Sequence, residues 1–216
     1  MRKVFIIVLA LLASGVVTST FTNFESFKKK NTLELKEGDL IFQSSNAGQS
    51  RAIQLATHSK YSHVGMLIKE NNEWMVLEAI QPVCISPLNQ WIQRGDREHF
   101  VIKRLKNHQT VLSPKTINDM KSFGKSFLGK NYDIYFEWSD DQIYCSELIW
   151  KIYNKTTGLE LGELQPLKEF DFSHPIVQSI AAQRYGVTIP ENEMAISPGA
   201  MFNSELLQTV ISKNDF

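Results

Sequence analysis

Tyr61-Ser62-His63-Val64-Gly65-Met66-Leu67-Ile68, followed by Lys69-Glu70-Asn71-Asn72-Glu73 and by Trp74-Met75-Val76-Leu77-Glu78-Ala79-Ile80, is the stretch whose reading decides the fold. Two apolar runs, 64–68 and 74–80, flank a short polar segment. Asparagine tolerates left-handed backbone, so Asn71-Asn72 predicts a tight turn and the whole stretch a β-hairpin. A two-residue loop pairs Glu70 with Glu73, and stepping outwards sets Gly65 opposite Glu78. His63 then shares a face with Glu78 as its diagonal neighbour, roughly 7–8 Å away between backbones and within reach of two long side chains. Gly65 leaves room for the carboxylate to lean towards the imidazole. A loop of odd length would send the two residues to opposite faces.

Outward from the hairpin, Leu35-Lys36-Glu37-Gly38-Asp39 reads as a turn feeding a strand at Leu40–Gln43, and 44–50 as a polar loop. Short helices are predicted at 51–57 and, carrying Trp91, at 87–94, with a further strand at 100–105. Ser113-Pro114 has the capping serine and first-turn proline of a helix start. That helix shows Ile117, Met120, Phe123 and Phe127 at helical spacing and stops at Gly129. An aromatic segment, 131–138, precedes a helix around Cys145 with Leu148, Ile149 and Ile152 on one stripe, ending near Gly158. One more helix at Pro175–Tyr185 and a short one at Ser197-Pro198 complete an α+β pattern, a small antiparallel sheet packed against helices.

The N-terminus carries Arg2 and Lys3, an apolar run from Val4 to Ala13 extended to Val17, and then small and polar residues. These describe a secretory signal peptide over residues 1–20. The run is short for a membrane-spanning helix, which needs about 20 apolar residues; an uncleaved anchor is the alternative, because only Val17-Thr18-Ser19 offers a small-residue exit. Residues 21–216 show no repeat or linker and read as a single domain. The chain has 23 basic and 23 acidic residues, so removing Arg2 and Lys3 leaves 21 against 23, a net −2. Near-neutrality excludes the basic footprint of a nucleic-acid binder. Membrane contact is expected only through an uncleaved leader.

Three residues carry candidate chemistry. A carboxylate at Glu78 fixes the tautomer of His63 and stabilises its imidazolium, leaving the other ring nitrogen to take a proton from a nucleophile, Cys145. Asp140 and Asp141 are expected to cap the helix just ahead of Cys145, placing the thiol where the helix dipole and a neighbouring imidazolium lower its pKa. Glu147 opposes this weakly. The Cys145 N–H, at a helix start, is one oxyanion donor; Gln43 is the residue suggested for a second. A disulfide between Cys84 and Cys145 is the competing reading for an exported chain. His58 and His63 lack the spacing of a helical zinc pair, and Cys145 with Glu147 makes no metal set, so neither metal nor cofactor is expected. Tyr132, Tyr135, Phe136 and Trp138 are read as core more readily than as cleft lining. His99, His108 and His174 are read as surface.

Several further motifs share a resemblance. Gly38-Asp39-Leu40-Ile41-Phe42-Gln43, Ala52-Ile53-Gln54-Leu55-Ala56-Thr57-His58-Ser59, Tyr61-Ser62-His63-Val64-Gly65, Glu78-Ala79, Gly129-Lys130-Asn131-Tyr132-Asp133, Trp138-Ser139-Asp140-Asp141 and Tyr144-Cys145-Ser146-Glu147-Leu148 resemble the YiiX/YebB-like branch of the permuted NlpC/P60 cysteine hydrolases. Leu167-Lys168-Glu169-Phe170-Asp171 and Ile196-Ser197-Pro198 extend the match over nearly all of the chain after the leader. The resemblance implies a circularly permuted papain-like fold in which histidine and its acidic partner precede the cysteine. It also implies Cys145 as nucleophile, His63 as base and Glu78 as orienting residue, and it leaves Cys84 outside any motif, which disfavours the disulfide. The expected activity is that of an exported thiol hydrolase cleaving a cell-wall peptide or amino-acid amide, with peptidoglycan or lipid-linked amides as possible partners. A lipid acyltransferase and a non-catalytic envelope binding module are the alternatives.

Overall fold

The computed structural model describes residues 35–45 and 48–213. The signal-peptide reading of residues 1–20 lies outside the described residues. Among the described residues six strands form one antiparallel sheet: β1 (Leu40–Gln43), β2 (His63–Glu70), β3 (Glu73–Glu78), β4 (Cys84–Pro87), β5 (Phe100–Leu105) and β8 (Leu207–Lys213), in the order β4-β3-β2-β1-β5-β8. Helix α1 (Ser50–Thr57) links β1 to β2, α2 (Leu88–Gln93) follows β4, and α3 (His108–Val111) and α4 (Pro114–Lys125) follow β5. Then come α5 (Cys145–Thr157), α6 (Pro175–Tyr185), α7 (Pro198–Phe202) and a two-stranded ribbon of β6 (Gln165–Pro166) and β7 (Met194–Ala195).

The hairpin forms in the expected register. Asn71 and Asn72 adopt φ of 48° and 67°, left-handed values that match the twist of the flanking strands. Glu70 pairs with Glu73 and Met66 with Leu77. One step further out Gly65 meets Glu78: a Cβ on Gly65 would stand 3.5 Å from Glu78 Cβ and only 2.3 Å from Val76 Cγ1. Only glycine fits there.

Strand alternation gives the sheet two faces with different jobs. Leu40, Phe42, Val64, Met66, Ile68 and Leu77 point into the main core, where they meet Leu148, Ile149 and Ile152 of α5. Gln43 and His63 are directly paired, and together with Glu78 they occupy the other face. There α2 supplies cover, with the His63 ring stacked on the buried Trp91, ring centres 5.7 Å apart.

Most predicted helices stand, and the differences have local causes. Ser113 caps α4 through its side chain, accepting from the Thr116 N–H at 3.1 Å. The helix ends at Lys125 rather than Gly129, where a run of tight turns takes over. Strands β4 and β8 were not foreseen. β8 is why His99, expected at the surface, is buried: its Nδ1–H donates to the Lys213 carbonyl at 2.6 Å on that strand. His108, half-buried, meets Lys36 Nζ, and His174 caps α6 by accepting from the Ile176 N–H.

Candidate active site

Glu78 is fully buried at the end of β3, so its charge must be compensated. Three side chains do this. His63 Nε2–H donates to Oε2 at 2.6 Å, while Ser86 Oγ donates to Oε1 at 2.5 Å and an Arg94 Nη2–H also reaches Oε1. Burial pushes the carboxyl up, but the bonds from His63 and Ser86 and the charge of Arg94 outweigh it and leave its pKa below the ordinary value. Ser86 and Arg94 escaped the sequence reading, although a carboxylate in an apolar strand signals that such partners must exist.

With Nε2 engaged by Glu78, the ring leaves Nδ1 for the thiol. His63 and Cys145 are hydrogen-bonded, and the two groups perturb each other. Burial pulls the imidazole down, yet the bonds to Cys145 and Glu78 hold it up at about 9. Burial pushes the Cys145 thiol up, and the bond and charge of His63, helped by the N–H groups of Val64 and Ser146, bring it below the ordinary thiol value. The combination favours a thiolate–imidazolium pair. Cys145 and Cys84 are both free thiols, so the competing disulfide is absent.

The helix start behind the sulfur differs from expectation. Asp140 and Asp141 do not cap α5, because the chain first makes a bridge between Tyr132 and Ile143 and the helix begins only at Cys145. Tyr144 occupies the N-cap position, and Glu147 Oε2 reaches back to accept from its N–H at 3.4 Å. Asp140 instead takes a bond from Lys151 Nζ at 2.7 Å. Glu147 lies 2.8 Å from the same ammonium, and burial raises its pKa to about 7 against the pull of Lys151. Its opposition to a thiolate is therefore muted.

Gln43 is buried on the same face as His63, but its Oε1 lies against Gly95, where a Cβ would come within 2.4 Å. A different residue bonds the sulfur: Tyr132, whose hydroxyl interacts with Cys145 and with the Gln49 side chain and whose pKa burial drives well up. Its aromatic neighbours make Tyr132 read as core from sequence; its place in the Gly129–Asp133 motif is the signal that sets it apart. Phe136 joins Tyr132 in the wall of an apolar pocket that opens beside Cys145, between α1, α6 and the segment around Ile196. Trp138 packs edge-on against Trp150 instead, and Tyr135 is exposed beside Tyr185.

Residues 34–211 match the family described as permuted papain-like amidase enzymes, YaeF/YiiX, C92 family. The uncharacterised protein YiiX of Escherichia coli strain K12 is 47% identical over 173 residues, 80% of this chain and 84% of that protein. A crystal structure from Escherichia coli O157:H7, described as the metalloprotein yiiX, superposes with a TM-score of 0.78 at 46% identity, covering 82% of this chain and 97% of that one. The mixed α and β architecture, with histidine and acid ahead of the cysteine, and these matches together make the chain a member of the YaeF/YiiX family of permuted papain-like amidases.

Proposed function

We propose that the protein is an exported thiol hydrolase that cleaves an amide bond through an acyl-enzyme on Cys145. The observation that carries this is the bonded series Glu78–His63–Cys145, with the imidazole held up and the thiol held down. In this reading the thiolate attacks the carbonyl carbon. The oxyanion meets the Cys145 N–H, unpaired by helix geometry at a first turn, and the Tyr132 hydroxyl. His63 gives its proton to the leaving amine, then takes one from the water that releases the acyl group. Glu78, kept ionised by Ser86 and Arg94, holds the ring and balances its charge. Export rests on the leader at residues 1–20, and the substrate is an amino-acid amide or a cell-wall peptide.

The relative described as a metalloprotein raises the question of a metal here. Among the described residues, no three His, Cys, Asp or Glu side chains are grouped to hold one. His63 Nε2 and Glu78 Oε2 stand 2.6 Å apart, a hydrogen bond in which both atoms are spent on the ring proton rather than left open to an ion. The residues do not fit a metal, and no step passes through one.

Incubating the purified protein with a mixed pool of muropeptides and N-acyl amino acids tests the proposal. Cleavage is expected, with loss in Cys145→Ser and in His63→Ala proteins that remain folded. Turnover surviving either change refutes it. The apolar pocket beside the sulfur favours one second reading, transfer of a fatty acyl group to an alcohol or amine. Mass spectrometry of the adduct trapped on Cys145 separates them: a long acyl chain marks transfer, a peptidyl or aminoacyl group marks hydrolysis.

A further inference from the structure

The pocket that opens beside Cys145 is walled by residues such as Ala52, Ile53, Phe136, Val177 and Ile180, and among the described residues Arg184 is the one Lys, Arg, Asp or Glu in its lining. Arg184 sits half-buried in the last turn of α6. Removing a guanidinium from water without an anionic partner is costly. Among the described residues no carboxylate forms an ion pair with it. Asp133, an acid that feels its charge, spends one oxygen on the Tyr135 N–H at 2.7 Å.

The group is nevertheless held in place. Nη2–H donates to Gln49 Oε1 at 2.5 Å, and the guanidinium carbon lies 5.2 Å from the centre of the Phe136 ring. The stack fixes the plane of the fork and uses none of its five N–H donors; Gln49 uses one. Gln49 also reaches the Tyr132 hydroxyl that meets the sulfur, so the open donors lie near the reactive end of the pocket. A planar fork with unused donors in a poorly hydrated setting is suited to a carboxylate.

We infer that Arg184 is an anion-recognition residue, holding a carboxylate that the substrate carries a few bonds from its scissile amide while the substrate's apolar part fills the pocket. The inference rests on the amidase reading and narrows its substrates to acylated amino acids with a free carboxylate.

Calorimetric titration of the full-length Cys145→Ala protein with N-octanoylglycine and with N-octanoylglycinamide tests it, since the two ligands differ by one charge. The acid is expected to bind on the order of ten- to a hundredfold more tightly, as for hydrogen bonds to a charged group. Arg184→Gln erases the preference and Arg184→Lys, a point charge, keeps part of it. Equal affinities in the parent, no binding of either ligand, or a preference that survives in folded Arg184→Gln overturns the inference. The readout is independent of turnover. Equal cleavage of both amides by the Cys145 protein would remove Arg184's role and leave the hydrolase standing; charge-selective binding without turnover would do the reverse.

Discussion

Replacing His63 by alanine removes the two largest of the interactions that hold the Cys145 thiol down, its hydrogen bond and its charge, and leaves in place the burial that pushes it up, opposed only by the N–H groups of Val64 and Ser146. The size of the effect follows from the imidazole. Raising His63 from 6.5 to about 9 amounts to about 3 kcal/mol in favour of the imidazolium, shared between Cys145 and Glu78. Without that cation the thiol returns to the ordinary range near 8.5 or above, where at most about 3% is ionised at pH 7. The ultraviolet band of the thiolate, read as the difference from Cys145→Ser across about pH 5 to 10, reports the ionised fraction directly. The parent is expected to show a populated thiolate at neutral pH and a further change near pH 9 as the imidazolium loses its proton. His63→Ala shows one titration, at or above the ordinary thiol value. Alkylation rates give weaker evidence, since a more basic thiolate is also a better nucleophile and offsets part of the loss. If His63→Ala titrates like the parent, or the parent thiol is protonated at neutral pH, the ion-pair reasoning fails.

Two further outcomes test the frame around the site. Glu147, raised to about 7 from 4.5, keeps its proton longer in the folded chain, so stability falls by about 3 kcal/mol as pH rises between those values. Glu147→Gln removes that fall, and Lys151 keeps Asp140 and the Ser139 carbonyl as partners; urea unfolding at several pH values checks it, and parallel pH profiles refute it. Gly65→Val forces side-chain atoms into space where even a Cβ would be 2.3 Å from Val76 Cγ1 and 3.2 Å from the Leu77 carbonyl. A loss of about 1–3 kcal/mol is expected, together with a weaker thiolate band as Glu78 moves from His63, and unchanged stability contradicts the close fit.

The hairpin was legible because its information is local. Two asparagines set the turn, the turn sets the register, and the register alone puts His63 and Glu78 on one face. The helix carrying Cys145 was legible for a similar reason, an apolar stripe at helical spacing closed by Gly158, which adopts φ of 73°. What failed was non-local or depended on a boundary. β8 pairs with β5 across about a hundred residues, and no local signal says which strand will cover His99. Asp140 and Asp141 have the chemistry of N-caps, yet the bridge from Tyr132 to Ile143 delays the helix to Cys145 and hands the cap to Tyr144 and Glu147. Arg94 and Ser86 were invisible individually, although the need for them was readable in Glu78.

The same alternation that exposed the pairing also accounts for where the chemistry sits. Residues of β2 at odd numbers, His63 and Gly65, face α2 and the acid, and those at even numbers, Val64 and Met66, face α5 in the main core. The sulfur comes from α5, on the even-numbered side, and must reach an imidazole on the other. It does so because α5 starts at the end of β2 where the strand itself begins: the N–H of Val64, next to His63, is bonded to the Cys145 sulfur. Strand end and helix start therefore meet at one point, and a core helix delivers a thiol to the far face without opening the sheet. A shift of α5 by one turn, about 5.4 Å, would bury the sulfur in the main core and leave His63 with Glu78 alone. The apolar contacts of Leu148, Ile149 and Ile152 with the sheet thus hold the register of the thiol as much as they hold the fold.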